Sequence, residues 1–235
     1  MIITGRNTST LDEATQIIQS NSPNVVVKSL QLDLSSLSAV RKAANELLND
    51  PEVSRIDVLI NNAGQMAVPY TKTVDGFESQ LASNHLGHFL LTNLLMPRIL
   101  AAAPGSRVVN VSSRGHRRSE FRFEDPNFSD GATYEPFLGY GQSKTANVLF
   151  SVGLAKRLGG RGVGSYSLHP GMIMTNLARG MGPEAVQQMK DFGLFDENGQ
   201  PKEPKMWKNL GQGAATSVVA AFDPRIEREW IFFEP

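Results

Sequence analysis

The feature that most constrains the fold of this chain is a rhythm in which short β-branched runs alternate with longer segments of helical period. The runs are Ile2-Ile3, Val25-Val26-Val27, Ile56 to Ile60, Val108 to Val111 and Gly164 to Leu168. Between them, apolar residues recur at helical spacing around Leu11 to Gln19, Leu37 to Leu48, Gly76 to Ala102, Phe137 to Leu158 and Gly211 to Ala221. Alternating strands and helices predict βαβ units, hence an α/β fold: a doubly wound parallel sheet with helices on both faces. Asp33, Ser35 and Ser36 offer caps for the second helix, and Pro104-Gly105 stops the third. A chain of 235 residues, 40% apolar with 21 glycines, suits one well-buried domain spanning 1–235 better than two.

Two stretches break the rhythm, Arg114 to Glu135 and Met172 to Lys205, both rich in charge, Gly and Pro. Long excursions of this kind are usually functional, and in a doubly wound sheet they sit at the carboxyl ends of strands, where ligands bind. Residues 172–205 are therefore expected to form the substrate loop. Trp207, Trp230 and the methionines at 172, 174, 181 and 189 read first as core or lid packing, with the methionines a second choice as lining for an apolar substrate. The 23 basic and 23 acidic residues cancel, so no global field favours nucleic acid or an anionic membrane, and a small molecule is the expected partner. The absence of cysteine excludes disulfides, thiolate metal sites and a cysteine nucleophile. Neither a signal-peptide pattern nor an apolar run approaching the roughly 20 residues of a membrane span is found, which predicts a soluble, cytoplasmic protein. His85 and His88 lie three apart on a helix without a third ligand cluster, so no metal is expected.

The strongest chemical signal is Tyr140-Gly-Gln-Ser-Lys144 within a helical segment, preceded by Ser113 just after a strand. Four residues apart on a helix, Tyr140 and Lys144 share a face. A carbonyl accepting hydride needs a proton, and a phenol of pKa near ~10 exchanges one poorly at neutral pH unless its phenolate is stabilised. The Lys144 ammonium offers that stabilisation, and lowering the phenol by two or three units asks for roughly 3 to 4 kcal/mol. Any amphipathic helix can carry an aromatic and a lysine at this spacing by accident, so the pair draws its weight from its company.

That company is ordered: Asn61-Asn62-Ala63-Gly64 after the strand 56–60, then Asn84, Ser113, Tyr140 with Lys144, and His169-Pro170-Gly171 with Thr175. Together these motifs resemble the short-chain dehydrogenase/reductase family, a Rossmann-like group of alcohol/carbonyl oxidoreductases, over nearly the whole chain. Asn84 to Thr92, Val109 to Ser113 and the 113–140 excursion resemble the retinol-dehydrogenase-like branch, especially its fungal members. The resemblance implies Tyr140 as acid/base, Ser113 as orienter of the substrate oxygen, Lys144 as ribose ligand and phenol tuner, and Asn84 as anchor of a relay water. Ser112 is the lesser claimant to the role of Ser113. The resemblance further implies cofactor contacts by Asn62, Ala63 and Gly64 at a ribose, Asp33 and Leu34 at the adenine, and Pro170, Gly171, Ile173 and Thr175 over the nicotinamide and its phosphate. Asn62 also reads as a turn asparagine and Asp33 as a helix cap. Arg6 falls where the family reads the adenosine ribose, and an arginine there accommodates a 2′-phosphate, so NADP is expected over NAD; the bland alternative is an exposed loop arginine. The implied substrate is a small-molecule alcohol or carbonyl compound, with secondary metabolism suggested by the fungal likeness, and the two longest helices suggest a possible homodimer.

One motif is missing. The family opens with a strand, a Thr-Gly-x-x-x-Gly-x-Gly turn and a helix, whose amides cradle the pyrophosphate. Thr4-Gly5-Arg6-Asn7-Thr8-Ser9-Thr10-Leu11 offers neither later glycine, and a single helix intervenes before the strand ending at Leu32. The sequence therefore reads as opening in the family's second strand, a unit of roughly 30 residues short. That first strand occupies the middle of the sheet, so its neighbours would have to close the gap or recruit water to satisfy their facing backbone groups. The final strand, near Glu229 to Pro235, is doubtful. The competing reading is a truncated, catalytically idle pseudoenzyme or partner-binding remnant.

Overall fold

The computed structural model describes residues 1–196, 198, 200–203, 206–226 and 232–233. Trp230 and Lys205 lie outside the described residues, as does most of 229–235. The alternation is realised as β1 (Ile2–Gly5), α1 (Thr8–Asn21), β2 (Lys28–Gln31), α2 (Leu37–Asn49) and β3 (Val58–Asn61). A bent helix follows, α3 (Ser79–Leu81), a π-turn (Ala82–Leu86) and α4 (Gly87–Ala101), then β4 (Arg107–Val111), α5 (Pro136–Leu158) and β5 (Gly164–Leu168). The chain finishes through β6 (Met172–Ile173), α6 (Pro183–Asp191), β7 (Trp207–Lys208), α7 (Leu210–Phe222) and β8 (Phe232–Phe233).

Local chemistry explains the boundaries. The Asn7 side chain accepts from Ser9 N to start α1, and the Ser36 side chain accepts from Ala39 N to start α2. The cap of α2 is thus Ser36 rather than Asp33, whose carboxylate instead accepts from Ser35 N and Ser35 Oγ at 2.9 and 2.7 Å. Asn209 and Gln212 form a capping box on α7, and Pro136 sits in the first turn of α5. The strand expected from Val25 begins only at Lys28, because α1 runs on to Asn21 and the Val25 N–H closes a turn onto Ser22 O at 3.0 Å. The helix expected from Gly76 begins at Ser79: Gly76 takes φ 82°, and a turn between Thr73 and Phe77 occupies the preceding backbone. The stretch 172–205, read as a loop, contains α6, announced by Pro183 in its first turn.

All paired strands run parallel, but in separate sheets: β1 with β2, β3-β4-β5-β8, and the small ribbon β6-β7. The doubtful final strand is present as two residues, Phe232 and Phe233, paired with Ser167 and Leu168. Strand order matches the expected sheet without its middle strand, so among the described residues β1 and β3 each have an edge without a ladder. Met1 O and Gly5 O accept from β2, and Asp57 O accepts from Arg107 N. Backbone groups alternate along a parallel strand, so Ile2, Thr4, Val58 and Ile60 face those edges. Helices span the break. Leu30 and Leu32 of β2, Val40, Ala44 and Leu47 of α2, Leu91, Leu95 and Ile99 of α4, and Phe150 and Leu154 of α5 form one core with Val108. The next residue, Val109, points to the opposite face and packs with Val111, Tyr166, Leu168 and Ala220 under α7. Helices on both faces are thus fixed by the two-residue period of β4.

Candidate active site

The site is assembled where β3 and β4 end. Asn61 closes β3, buried, with its Nδ2 donating to Thr92 Oγ1 at 3.0 Å and Asn110 Oδ1 at 2.8 Å, while Asn110 Nδ2 reaches Ser151 Oγ at 2.8 Å. This chain of amides and hydroxyls locks β3, β4, α4 and α5 together, so the exposed turn Asn62-Ala63-Gly64 starts from a rigid base. The buried Glu78 carboxylate accepts from Gln80 N and Leu81 N, both at 2.7 Å, and so starts the helix that carries Asn84. Burial pushes the Glu78 carboxyl above its usual range, against the pull of those amides. Gln80, a few atoms away, accepts from Ala67 N and donates to Tyr134 Oη and Pro136 O at 2.7, 2.6 and 2.9 Å, joining the turn after β3 to the start of α5.

Asn84 lies in the π-turn, a distortion frequently found at functional sites. Its side chain is fully employed: Oδ1 accepts from Gln65 N at 2.8 Å, and Nδ2 donates to Gln65 O and Ser143 Oγ at 2.9 Å. A relay water would therefore have to use the Asn84 main-chain carbonyl, which already sits 3.1 Å from His88 Nδ1. His88 is held down to about 4 by burial and is neutral at physiological pH.

From α5 come Tyr140 and Lys144, both buried, with the Lys144 Nζ 5.5 Å from the Tyr140 ring centre. The two serines after β4 separate cleanly. Ser112 Oγ is spent on Lys144 O at 2.7 Å, whereas Ser113 Oγ accepts from Gly115 N at 3.0 Å and hydrogen-bonds the Tyr140 phenol. One expectation is reversed. Burial pushes the phenol up to about 12, with Ser113 the one group pulling it down, and burial brings Lys144 down to about 8. Lys144 Nζ donates to Val111 O at 3.0 Å, and burial outweighs every other influence on the phenol.

A cleft of about 200 Å³ opens between the end of β1, the turn after β2 and the turn after β3, lined by Arg6, Asp33, Leu34, Ala63 and Gly64 among others. Its glycine is under a spatial demand: a Cβ on Gly64 would lie 3.0 Å from Asn84 Oδ1 and 3.7 Å from Lys144 Nζ. The bare backbone thus leaves a cradle directly beside the Tyr140–Lys144 helix. Of the expected cofactor contacts, Asn62, Tyr140, Lys144, Pro170, Gly171, Ile173 and Thr175 do not line this cleft. The Gly171 backbone turns at φ 89° into the β6-β7 ribbon. The Ile173 side chain lies over Gly213 of α7, where an added Cβ would collide with it. Thr175 caps the short helix Asn176–Ala178 by accepting from Leu177 N at 3.2 Å. Gln65, Ser83 and Arg179 line the cleft unforeseen, Arg179 because it falls in a stretch with no period to place it. A larger groove of about 440 Å³, walled by Phe89, Phe121, Phe123, Leu149 and Phe150, lies along α4 and α5 and contains none of Ser113, Tyr140 or Lys144. His85 also lines it, its Nδ1 3.0 Å from Asn147 Oδ1, and burial lowers its pKa. Among the described residues no group of three or more His, Cys, Asp or Glu is arranged to hold a metal ion.

Comparison with known proteins agrees with this geometry. The family model described as short chain dehydrogenase matches residues 1–123. The chain is similar to short-chain dehydrogenase TIC 32 A, chloroplastic, of Brassica napus, at 39% identity over 97% of this chain and 69% of that protein. It is 52% identical to retinol dehydrogenase 14 of Mus musculus over 86% of this chain and 56% of that protein. It is 42% identical to short-chain dehydrogenase/reductase prx1 of Penicillium roqueforti over 87% of this chain and 56% of that protein. Among solved structures, a protein from Mycobacterium paratuberculosis superposes with a TM-score of 0.69 at 36% identity, over 98% of this chain and 70% of that one. The NADP complex of Pseudomonas aeruginosa RhlG shares the fold, with a TM-score of 0.67 at 22% identity over 99% of this chain and 84% of that one. Ser113 beside the buried Tyr140 and Lys144 on a doubly wound parallel fold, a family match over half the chain, and relatives of this similarity establish that the chain belongs to the short-chain dehydrogenase/reductase family of oxidoreductases, in its retinol-dehydrogenase-like branch.

Proposed function

We propose that this chain is an NADP-dependent oxidoreductase that interconverts a small-molecule alcohol with its ketone or aldehyde. The observation that carries the reading is the convergence of Ser113, Tyr140, Lys144 and Asn84, from separate segments, beside the Gly64 cradle. A bound nicotinamide supplies or accepts the hydride; the chain's own groups handle the proton. With the phenol raised to about 12, Tyr140 is protonated at neutral pH, the form required to give a proton to a carbonyl oxygen. Ser113 holds that oxygen beside the phenol, Asn84 anchors the relay water through its main chain, and Lys144 binds the ribose. Arg6 favours NADP, with Asp33 and Leu34 at the adenine, Asn62, Ala63 and Gly64 at the ribose, and the backbone of Pro170, Gly171, Ile173 and Thr175 near the nicotinamide. The stretch 172–205 bounds the substrate, and Met66, Met181 and Met189 packed around Phe137 and Ala185 favour an apolar one. We place the reaction in the cytoplasm and in secondary metabolism, with α4 and α5 as the faces of a homodimer, where Phe89 and Leu149 are half exposed.

Titration of the chain with NADPH, followed by nicotinamide fluorescence, tests the reading. Binding in the micromolar range supports it, and no binding at hundreds of micromolar, roughly the top of the usual range for an enzyme's substrate, defeats it. One observation favours the second reading, an idle or partner-binding remnant: β1 and β3 have no strand between them. The same titration decides between the two.

A further inference from the structure

Arg179 follows the short helix Asn176–Ala178, and its N–H bonds back to Asn176 O at 3.2 Å. The next residue, Gly180, is pressed against Val68, 2.9 Å from where a Cβ would sit, so this corner of the loop is seated on the turn after β3. From it Arg179 lines the same narrow cleft that Arg6 enters from the end of β1. Among the described residues neither guanidinium has a carboxylate partner. The one acidic group lining the cleft, Asp33, has its Oδ1 engaged by Ser35 N and Oγ at 2.9 and 2.7 Å. Two arginines against one carboxylate leave the cleft cationic. Paired guanidinium forks match the oxygens of a tetrahedral dianion, whereas they have no use for a neutral ribose hydroxyl.

We propose that Arg6 and Arg179 hold one phosphate monoester between them, the ribose phosphate that distinguishes a phosphorylated dinucleotide from an unphosphorylated one. Arg179 belongs to the same stretch that bounds the substrate, so discrimination at the adenosine end also ties down the loop. The inference rests on the dinucleotide reading above and adds to it a second ligand from a different part of the chain.

The test titrates the wild-type chain and its Arg6→Gln and Arg179→Gln variants with NADPH, NADH and adenosine 2′,5′-bisphosphate at one fixed, low salt concentration. Arg179→Gln is expected to weaken NADPH and the bisphosphate by about tenfold or more, as Arg6→Gln does, because each loses a charged hydrogen-bond partner of the phosphate. NADH binding should stay within about twofold of wild type, since each cation discriminates only through the added phosphate. Arg179→Lys should recover part of the loss, a point charge replacing a fork. Unchanged NADPH affinity in Arg179→Gln, or an equal loss of NADH and NADPH, overturns the assignment of Arg179 while the dinucleotide reading stands. Failure of the wild-type chain to bind any of the three compounds overturns both.

Discussion

Burial moves the two ionisable partners on α5 in opposite directions, and stability as a function of pH should show it. Lys144 titrates near 8 in the folded chain against 10.5 for its ordinary value, so between these pH values the unfolded chain binds more protons and stability rises with pH. The cost of keeping this cation buried, up to about 3 kcal/mol, is fully present below pH 8 and gone above 10.5. Lys144→Met should therefore be more stable than wild type at pH 7, by a margin that shrinks as the pH is raised through this window. Thermal melts at pH 7 and 10 check it, and a margin independent of pH would contradict the burial argument. Tyr140 acts above that window: its folded phenol keeps its proton to about 12 against an ordinary 10, so stability falls from pH 10 upward. Tyr140→Phe should lower kcat/KM by a factor of about 100 or more with NADPH affinity nearly unchanged, as steady-state rates and fluorescence titration will show. At this scale the sequence was legible for side chains whose chemistry names them. Ser113, Tyr140, Lys144 and Gly64 were singled out from sequence and lie near one another, and Ser112 Oγ is bonded to Lys144 O. The direction of the pKa shifts was not legible, because it follows from how deeply tertiary packing buries both groups.

Among the elements, α4 is seated closely on the backbone of the turn after β2. A Cβ on Gly87, the first residue of α4, would lie 2.4 Å from Leu34 O and 2.9 Å from Leu34 Cβ, and backbone cannot step aside as a flexible side chain would. Gly87→Ala should cost about 2 kcal/mol and, since Leu34 lines the cleft, weaken dinucleotide binding as well. Gly159→Ala, with helical backbone and nothing within 4 Å of the new methyl, should be neutral or stabilising by about 0.5 kcal/mol. Parallel urea melts of the two variants separate overpacking from simple loss of glycine. Elements that follow from local caps were readable, as α2 and α7 show. The π-turn was not, because Asn84 within it is held by bonds to Gln65 and Ser143, far away in sequence. The late start of β2 was hidden because valines fit a turn's flank as well as a strand, and Val26 ends up 73% exposed.

For the molecule as a whole, counting helices between strands showed which two strands would meet without the one between them but left open whether they close up, and the sheet is divided there. Amides of Thr4 and Ile60, on the edges without a ladder, should exchange with solvent deuterium far faster than those of Val108 and Val109, which lie inside the four-stranded sheet. Equal protection would mean the two edges meet in solution. What strand counting could not convey is how the halves stay joined: α2 and α4 share one apolar core across the break, a fact of three-dimensional packing.

The Arg6–Asp33 side of the cleft hangs from the small sheet and the Ala63–Gly64 side from the large one, so the ligand's two walls are not braced by a common ladder. Their separation is set by how firmly two helices grip each other on the far face. A substitution in that grip, such as Leu95→Ala, would widen or slacken the jaws without touching what they hold, and a molecule clasped there would in turn act as a rivet through the seam.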